Sequence, residues 1–263
     1  MNKKIFLFSA LAAIFLSLSG CKNSSDKKMI TVQASSAPHQ EILEFIKPAM
    51  EKEGIYLKII TVDDYNIPNR ALAEKEIDAN FFQHKPFLEE QSKQFGYDLE
   101  SLSDVHIEPM GIYVKNGGWD KIQKGGIITL PSDPTNEGRA LALLAKAGVI
   151  SLKEGVLYPT VLDIVDNPYG CTFKEVDAAF LARTWQEVAA AVIPTNYALL
   201  AGLHPQKDAL LLEDGSSLYV NILTIRKGES KREELLLLKK HIESEETRKH
   251  IEETYQGAVV LLH

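Results

Sequence analysis

The segment from Met29 to Tyr65 constrains the fold most, because it alternates between strand-like and helix-like patterns. It reads MITVQASSAPHQEILEFIKPAMEKEGIYLKIITVDDY. The β-branched stretches ITVQA and YLKIITV predict strands, and the amphipathic stretch between them predicts a helix that ends at Gly54. A strand–helix–strand unit needs a crossover connection, so this segment predicts a parallel sheet with its loops at one edge.

The alternation recurs in the second half of the chain. GGIITLPSDPTNEGRALALLAKAG predicts a strand, a loop and a helix stopped by Gly148, and AAAVIP predicts another strand. VHIEPMGIYVKN, around Pro109, and the β-rich SLYVNILTIRKG would carry the chain between the two halves. With 263 residues, this order predicts two α/β lobes joined by two crossings, with a ligand cleft between them. The segment ESKREELLLLKKHIESEETRKHIEETYQG predicts one long helix packed on the first lobe.

The N-terminus predicts a targeting segment. MNKK is basic, and the apolar run from Ile5 to Leu18 is 14 residues, too short to span a bilayer comfortably. Leu18-Ser19-Gly20-Cys21 has the pattern of a lipobox, in which Cys21 becomes the lipidated N-terminus. We therefore expect residues 1–20 to be a lipoprotein signal peptide and residues 21–28 a lipidated cysteine with a polar tether. An ordinary secretory signal cut near Gly20 is the alternative.

Composition and motifs argue against several functions. The formal net charge is −7 and no basic stripe is present, so no nucleic-acid partner is expected. The chain has no GxSxG, P-loop, GxGxxG, HExxH or paired CxxC motif. His39, His84, His106 and Glu108 lie on different predicted elements, without the spacing of zinc motifs, so neither a metal nor a cofactor is expected. A metal-assisted hydrolase using His84, His106 and Glu108 remains an alternative.

After Cys21, the only other cysteine is Cys171. A secreted chain with one free thiol has no disulfide framework, and a buried, inert thiol is commoner than a reactive one.

Arg139 is a candidate partner for a carboxylate. Asp133 followed by Pro134 is typical of an N-cap and first helical position, which places Arg139 within the first two turns of a helix. The exposed N–H groups and the helix dipole favour an anion there, and the guanidinium adds a planar fork that matches a carboxylate. The alternative is a surface arginine paired with Glu137 or Glu175.

Aromatic residues form a second candidate group. Phe82, His84 and Phe87 in DANFFQHKPFLEEQ cannot all share one regular face, so a bend near Pro86 would bring them together with Tyr65. Such rings suit an apolar or thioether side chain, and the alternative is a local piece of core.

Two asparagines complete the pattern. Asn196 and Asn221 each lie in or beside an apolar run, where an amide can bind an ammonium or a carboxylate group, or else bond the local backbone. An anion fork, two amides and an aromatic slot are together what a zwitterionic amino acid needs.

Five blocks of the chain resemble, in order, those of the NlpA/MetQ lipoproteins, the substrate-binding components of methionine ABC importers. They are DANFFQHKPFLEEQ, VHIEPMGIY, PSDPTNEGRALALL, TNYALLAGL and YVNI. The resemblance implies a type II periplasmic-binding-protein fold with a two-strand hinge, lobe 1 spanning 29–113 plus 224–263 and lobe 2 spanning 114–223. It also implies a monomeric receptor without enzymatic activity, anchored by its lipid to a membrane of the cell envelope, on the periplasmic or extracellular face.

By position, the family's pocket would comprise Tyr65, Phe82, His84 and Phe87 around the side chain, Arg139 at the carboxylate, and Asn196 and Asn221 at the amino acid group. The implied ligand is L-methionine, delivered to a permease and its ATPase. Phe87 replaces a usual tyrosine, Ala182 a usual proline and Pro194 a usual asparagine. A methionine dipeptide or another apolar amino acid is therefore an alternative ligand. A surface adhesin or structural lipoprotein is an alternative of another class.

Overall fold

The computed structural model of the protein describes residues 28–115, 119–214 and 218–262. The predicted signal peptide, Cys21 and all of the tether except Lys28 lie outside these ranges. Within them, no helix combines the length and the apolar character needed to cross a bilayer.

The strands of the two large sheets and of one small hairpin follow the predicted alternation. They are β1 Lys28–Ala34, β2 Ile55–Thr61, β3 Ala79–His84, β4 Leu99–Ile107, β5 Gly111–Tyr113, β6 Ile127–Pro131, β7 Ser151–Leu152, β8 Ile164–Asp166, β9 Thr172–Val176, β10 Ala190–Ile193, β11 Ala209–Leu212, β12 Val220–Arg226 and β13 Val260–Leu261.

The helices lie between these strands and after β12. They are α1 Glu41–Lys52, α2 Pro68–Ala73, α3 Lys85–Phe95, α4 Trp119–Ile122, α5 Pro134–Lys146, α6 Ala178–Thr184, α7 Thr195–Leu200, α8 Pro205–Asp208, α9 Glu233–Ile242 and α10 Glu245–Tyr255, with short non-α turns at Ser36–Gln40, Val161–Asp163 and Trp185–Glu187.

The first sheet has the strand order β13-β4-β12-β3-β1-β2. β1 pairs in parallel with both β2 and β3, as the strand–helix–strand pattern predicts, whereas β12 is antiparallel to β3 and β4. Ile42, Leu43, Ile46 and Met50 form the buried face of α1, because this spacing places them on one side of a helix. This lobe therefore has its own apolar core, closed on the same side by α9 and α10.

The second sheet has the order β11-β5-β10-β6-β9. β6 and β10 are fully or nearly fully buried, which is why their sequences IITLP and AAVI are continuous apolar runs. α5 packs on this sheet and ends beside Gly148, whose φ of +72° a glycine adopts without strain. The predicted helix stop is confirmed, and the prediction of two α/β lobes is confirmed with it.

The chain passes between the sheets twice, from β4 to β5 and from β11 to β12. Strand pairing divides the lobes at slightly different places from the predicted ones. β5 lies in the second sheet, although 29–113 was assigned to lobe 1, and the whole of β12 lies in the first sheet, although 114–223 was assigned to lobe 2. Apolar runs show that a strand is present but not which sheet supplies its hydrogen-bond partner. We therefore place the divisions between Ile107 and Gly111 and between Leu212 and Val220.

The single long C-terminal helix predicted from the sequence is wrong. The segment forms two helices, α9 and α10, and Glu243 and Ser244 between them are not helical. Ser244 has an extended backbone, and its hydroxyl accepts a hydrogen bond from the Thr247 N–H at 3.3 Å, so it caps α10. The break lets both helices turn an apolar face toward the first sheet.

Cys171 is buried, and its thiol donates to the Ile122 carbonyl at a sulfur–oxygen distance of 3.3 Å. Burial raises the pKa of this thiol, as expected for an inert cysteine.

Candidate ligand-binding site

One cavity between the lobes is lined by all seven residues that the sequence singled out. About 340 Å³ of space not occupied by protein atoms lies within it, including the part open to solvent. Its walls are Tyr65, Phe82, His84, Phe87, Arg139, Asn196 and Asn221, together with Gln83, Glu108, Asn136, Pro194 and Thr195. The first lobe supplies β3, α3 and β12, and the second supplies the N-terminal halves of α5 and α7. The cavity therefore lies where strand ends and helix starts from both lobes meet, a usual place for a ligand in α/β proteins.

Three aromatic rings form one end of the cavity. The ring centroids of Tyr65, Phe82 and Phe87 lie 5.8 to 5.9 Å from one another, with tilted or edge-to-face geometry. Phe82 and Phe87 are 4% exposed, so the rings are shielded from bulk water. The bend predicted near Pro86 is the junction at which β3 ends and α3 begins, and this junction brings the rings together.

His84 joins this aromatic end to the second lobe. Its Nδ1 accepts from the Phe87 N–H at 3.1 Å, which makes His84 the N-cap of α3. Nε2 is therefore the N–H that donates to Asn136 Oδ1, at 3.0 Å. Burial, with a smaller effect of the Arg139 charge, lowers the pKa of His84 to about 3, so the ring is neutral. A neutral imidazole adds little polarity to the aromatic end.

Arg139 is 3% exposed and is paired with neither Glu137 nor Glu175, the two alternatives considered from the sequence. As predicted, Asp133 caps α5 by accepting from the Asn136 N–H at 3.0 Å. The Arg139 Nε donates to both oxygens of Glu213 at 2.8 and 2.9 Å, and Nη2 donates to Glu213 and to the Glu108 carbonyl, the latter at 2.7 Å.

The remaining nitrogen of this guanidinium is available to a ligand. Within the described ranges, Nη1 of Arg139 donates to no acceptor. The plane of the group is fixed by Glu213 on its edge and by the Tyr219 ring, whose centroid lies 4.4 Å from Cζ. The guanidinium is therefore held in a fixed plane at the wall of the cavity.

Glu108 is the buried acid of the cavity. Its Oε1 lies 2.8 Å from His106 Nε2 and 3.2 Å from His39 Nε2, and it also accepts from the backbone N–H of Asn196. Burial lowers the pKa of His39 to about 4 and that of His106 to about 3, so both rings are neutral. Burial raises the pKa of Glu108, while the charges of His39 and Arg139 and the Asn196 bond oppose that rise.

The metal hypothesis from the sequence can be compared with this geometry. His39, His106 and Glu108 offer ligand atoms within 4.8 Å of one another, whereas His84 bonds Asn136. A carboxylate only accepts hydrogen bonds, so each Nε2 that contacts Glu108 carries the proton. A nitrogen in that tautomer ligates a metal only after its proton has moved or left. The hydrogen bonds thus account for the cluster without an ion.

The two asparagines use their oxygens within the protein. Asn196 Oδ1 accepts from the Tyr65 hydroxyl at 2.7 Å, and Asn221 Oδ1 accepts from His39 Nε2 at 3.2 Å. Neither Nδ2 group donates to another side chain or backbone carbonyl among the residues that the structure describes. These amides therefore offer N–H donors at the wall of the cavity.

Sequence reasoning missed three contributors. Glu108 was considered only as a metal ligand, although an acid bordered by the apolar pieces of VHIEPMGIY signals a buried functional carboxylate. Asn136 was read only as part of a helix start. Glu213 gave no local signal, because its partner Arg139 lies 74 positions away.

Comparisons with known proteins show the family to which the chain belongs. The family model described as NlpA lipoprotein matches residues 30–262. The D-methionine-binding lipoprotein MetQ of Escherichia coli K12 is 37% identical over 99% of both chains. The methionine-binding lipoprotein MetQ of Bacillus subtilis is 36% identical over 98% of both.

A solved structure is equally similar. The nutrient-binding protein of Burkholderia cenocepacia, whose structure contains bound methionine, is 39% identical with a TM-score of 0.85. The match covers 89% of this chain and 100% of that one. The fold is thus that of periplasmic binding proteins, as the resemblance implied. With a family model that matches nearly all of the described chain, the protein belongs to the NlpA lipoprotein family.

Proposed function

We propose that this chain is the substrate-binding component of an ABC importer and that it captures methionine as a free amino acid. It hands the ligand to a membrane permease driven by an ATPase, and it carries out no chemical step. The lipobox pattern supports anchoring through Cys21, with the binding lobes at the outer face of the membrane and the chain acting as a monomer.

The observation that carries this proposal is the polarity of the cavity. The guanidinium of Arg139 and the buried carboxyl of Glu108 line the same cavity as a triangle of aromatic rings. The charges are complementary to the two charges of an amino acid zwitterion. Each contact between the ligand sulfur and a ring would contribute roughly 0.3–1.5 kcal/mol.

The protein side chains packed against the two charged groups, Arg139 and Glu108, favour a free amino acid over a dipeptide as the ligand. Behind Arg139 stand Glu213 and the Tyr219 ring, and behind Glu108 stand the buried rings of His39 and His106. A residue added at either end of methionine would have to displace these contacts. A buried ion pair that loses one partner is strongly destabilised, so this displacement is unfavourable.

Ligand binding would favour the closed arrangement of the lobes. Several contacts already cross the cleft, among them Tyr65 with Asn196, His84 with Asn136, and the Tyr197 hydroxyl with the Asp63 carbonyl at 2.6 Å. Because a ligand between them contacts both lobes only when they are closed, it shifts the equilibrium toward that form. The closed form is then the state that a permease can distinguish.

Calorimetry on the full chain in mild detergent tests the proposal. Carried ligand is first removed by washing the protein in denaturant and refolding it. We expect L-methionine to bind with one-to-one stoichiometry. Methionyl-alanine and alanyl-methionine should release no heat and should not weaken methionine binding at equal concentration.

Circular dichroism before the titration confirms that the protein has refolded. Folded protein that gives no heat with L-methionine would refute the methionine proposal. Tight binding of either dipeptide, with weak binding of the free amino acid, would instead establish the peptide alternative. Leucine and norleucine serve as side-chain controls, because they lack the sulfur.

A further inference from the structure

The contacts around Glu108 differ from those around every other charged group of the cavity. Arg139 is already paired with Glu213, whereas the side chains nearest the Glu108 carboxyl are two neutral imidazoles: His106 Nε2 hydrogen-bonds it at 2.8 Å, and His39 Nε2, whose hydrogen bond goes to Asn221, lies 3.2 Å away. Neutral donors stabilise an anion without cancelling its charge. An ionised Glu108 would therefore have no cation bonded to it among the described residues, and a cationic ligand group could supply one.

The two histidines are held against this carboxylate, His106 by a hydrogen bond and His39 by close contact. His39 and His106 are 0% exposed. The Ser35 hydroxyl lies 2.7 Å from His39 Nδ1, which is the acceptor nitrogen when Nε2 donates to Asn221 Oδ1. His106 Nδ1 is buried and has no hydrogen-bond partner in the described part of the chain. Among the described residues, the ring therefore hydrogen-bonds only to Glu108. An unsatisfied buried nitrogen costs stability, and that cost is consistent with a functional constraint.

We propose that His39 and His106 are positioning residues that hold Glu108 as an anion for the α-ammonium group, and that they thereby make binding depend on the amine. The inference rests on the proposed function, because it assumes that an amino acid occupies the cavity. It adds two residues that do not line the cavity and a selectivity that they impose.

The physical consequence is discrimination against ligands without an amine. An α-hydroxy acid would leave the Glu108 charge buried and unneutralised. A site built around a polar group of its ligand rejects analogues that lack that group by large factors, on the order of 10⁴ in favourable cases. We expect at least a hundredfold preference for L-methionine over 2-hydroxy-4-(methylthio)butanoate, on the same reasoning.

The pH dependence follows from the groups that face Glu108. These are His39 and His106, the Arg139 guanidinium and the backbone N–H of Asn196, with Tyr65 and Tyr255 uncharged nearby. Protonation of Glu108 removes the charge that the ammonium needs, so methionine binding weakens as the pH falls through the pKa of Glu108. Loss of one imidazole donor raises that pKa, so the weakening begins at a higher pH.

Paired substitutions test the proposal in the full chain, purified in detergent and stripped of ligand. His106→Met removes the donor at similar volume, whereas His106→Gln retains an N–H at nearly the same place. His39→Met and His39→Gln form a second pair, which decides the matter if the first apolar variant does not fold. His241→Met is the control, because His241 makes a similar contact with Glu53, at 2.9 Å, on the exposed side of α9.

Affinities for L-methionine and for the hydroxy acid are measured at pH 7.5 and pH 5.5, with thermal unfolding as the check on folding. We expect the methionine-to-hydroxy-acid preference to fall at least tenfold in the Met variants and to recover in the Gln variants. The acid-induced loss of methionine binding should also begin at higher pH in the Met variants.

A folded Met variant with the wild-type preference and pH profile would overturn the inference, as would a Gln variant as impaired as the Met variant. Wild-type protein that binds neither compound would instead refute the proposed function itself, and this inference with it.

Discussion

Replacing Arg139 by alanine is expected to weaken methionine binding by about 2–5 kcal/mol, roughly thirtyfold to several thousandfold. The variant removes the guanidinium proposed to bind the ligand carboxylate. It also leaves Glu213, whose side chain is only 14% exposed, without its partner. Arg139→Lys should also bind poorly, because an ammonium keeps the charge but cannot bond Glu213 and the ligand in one plane. Calorimetry gives the affinities, and thermal unfolding gives the stabilities.

Lys146→Ala is the matched control for this prediction. Lys146 lies on the same helix, and its ion pair with Asp214, at 2.8 Å, is exposed on both sides. Exposed pairs contribute about 0–1 kcal/mol, so this variant should bind like the wild type. If Arg139→Ala binds methionine as tightly as Lys146→Ala does, Arg139 does not hold the carboxylate.

Phe87→Ala is expected to have the second large effect. Truncating a buried phenylalanine typically lowers the free energy of unfolding by about 3–5 kcal/mol. Phe87 also separates the ligand cavity from two outer cavities, which it lines together with Gln91 and Gln94. Its removal should therefore weaken methionine binding at least tenfold, about 1.4 kcal/mol, and should weaken binding of the longer ethionine less.

Phe95→Ala provides the comparison on the same helix. Phe95 is 54% exposed and lines only an outer cavity, so its truncation should change stability and affinity little. Equal losses of methionine affinity in the two variants would show that the side-chain slot is not where the ring triangle places it. Urea unfolding and calorimetry on the same samples separate the effect on stability from the effect on binding.

Much of the fold could be predicted from local pattern. The strand–helix–strand unit at the start of the chain is visible because β1 and β2 are β-branched runs around the amphipathic α1. The start of α5 is visible because Asp133 and Pro134 are strong N-terminal signals. These signals depend only on neighbours in the sequence, and therefore a sequence reading can find them.

Two predictions differ from the structure, and they do so for different reasons. The break between α9 and α10 has a local signal, Ser244 followed by two acids, but the helical pattern on both sides outweighed it. The lobe boundaries depend on which strands pair, and β12 pairs with β3 across more than a hundred residues. Pairing over such distances leaves no trace in a local window.

In the candidate site, too, some features could be predicted from the sequence and others only from the structure. Tyr65, Phe82 and the other predicted lining residues were first selected by residue type and local pattern, and the family resemblance then placed them in one pocket by position. Most of the partners that orient them are non-local. Glu213 fixes Arg139 from 74 positions away, and His39 contacts Glu108 from a distant part of the chain, whereas His106, which hydrogen-bonds Glu108, is only two positions from it. Residue type suggested the chemistry of the ligand, but the side chains that contact each charged group could be identified only from the structure.

The most direct test of the central claim is the position of the ligand in a crystal. Ligand-free protein with ordinary methionine residues is crystallised with free L-selenomethionine, so that selenium marks the bound amino acid alone. The account predicts one anomalous peak among the rings of Tyr65, Phe82 and Phe87, with the ligand carboxylate on Arg139 and its amine on Glu108. A selenium peak outside this cavity, or a ligand with its carboxylate and amine exchanged, would contradict it.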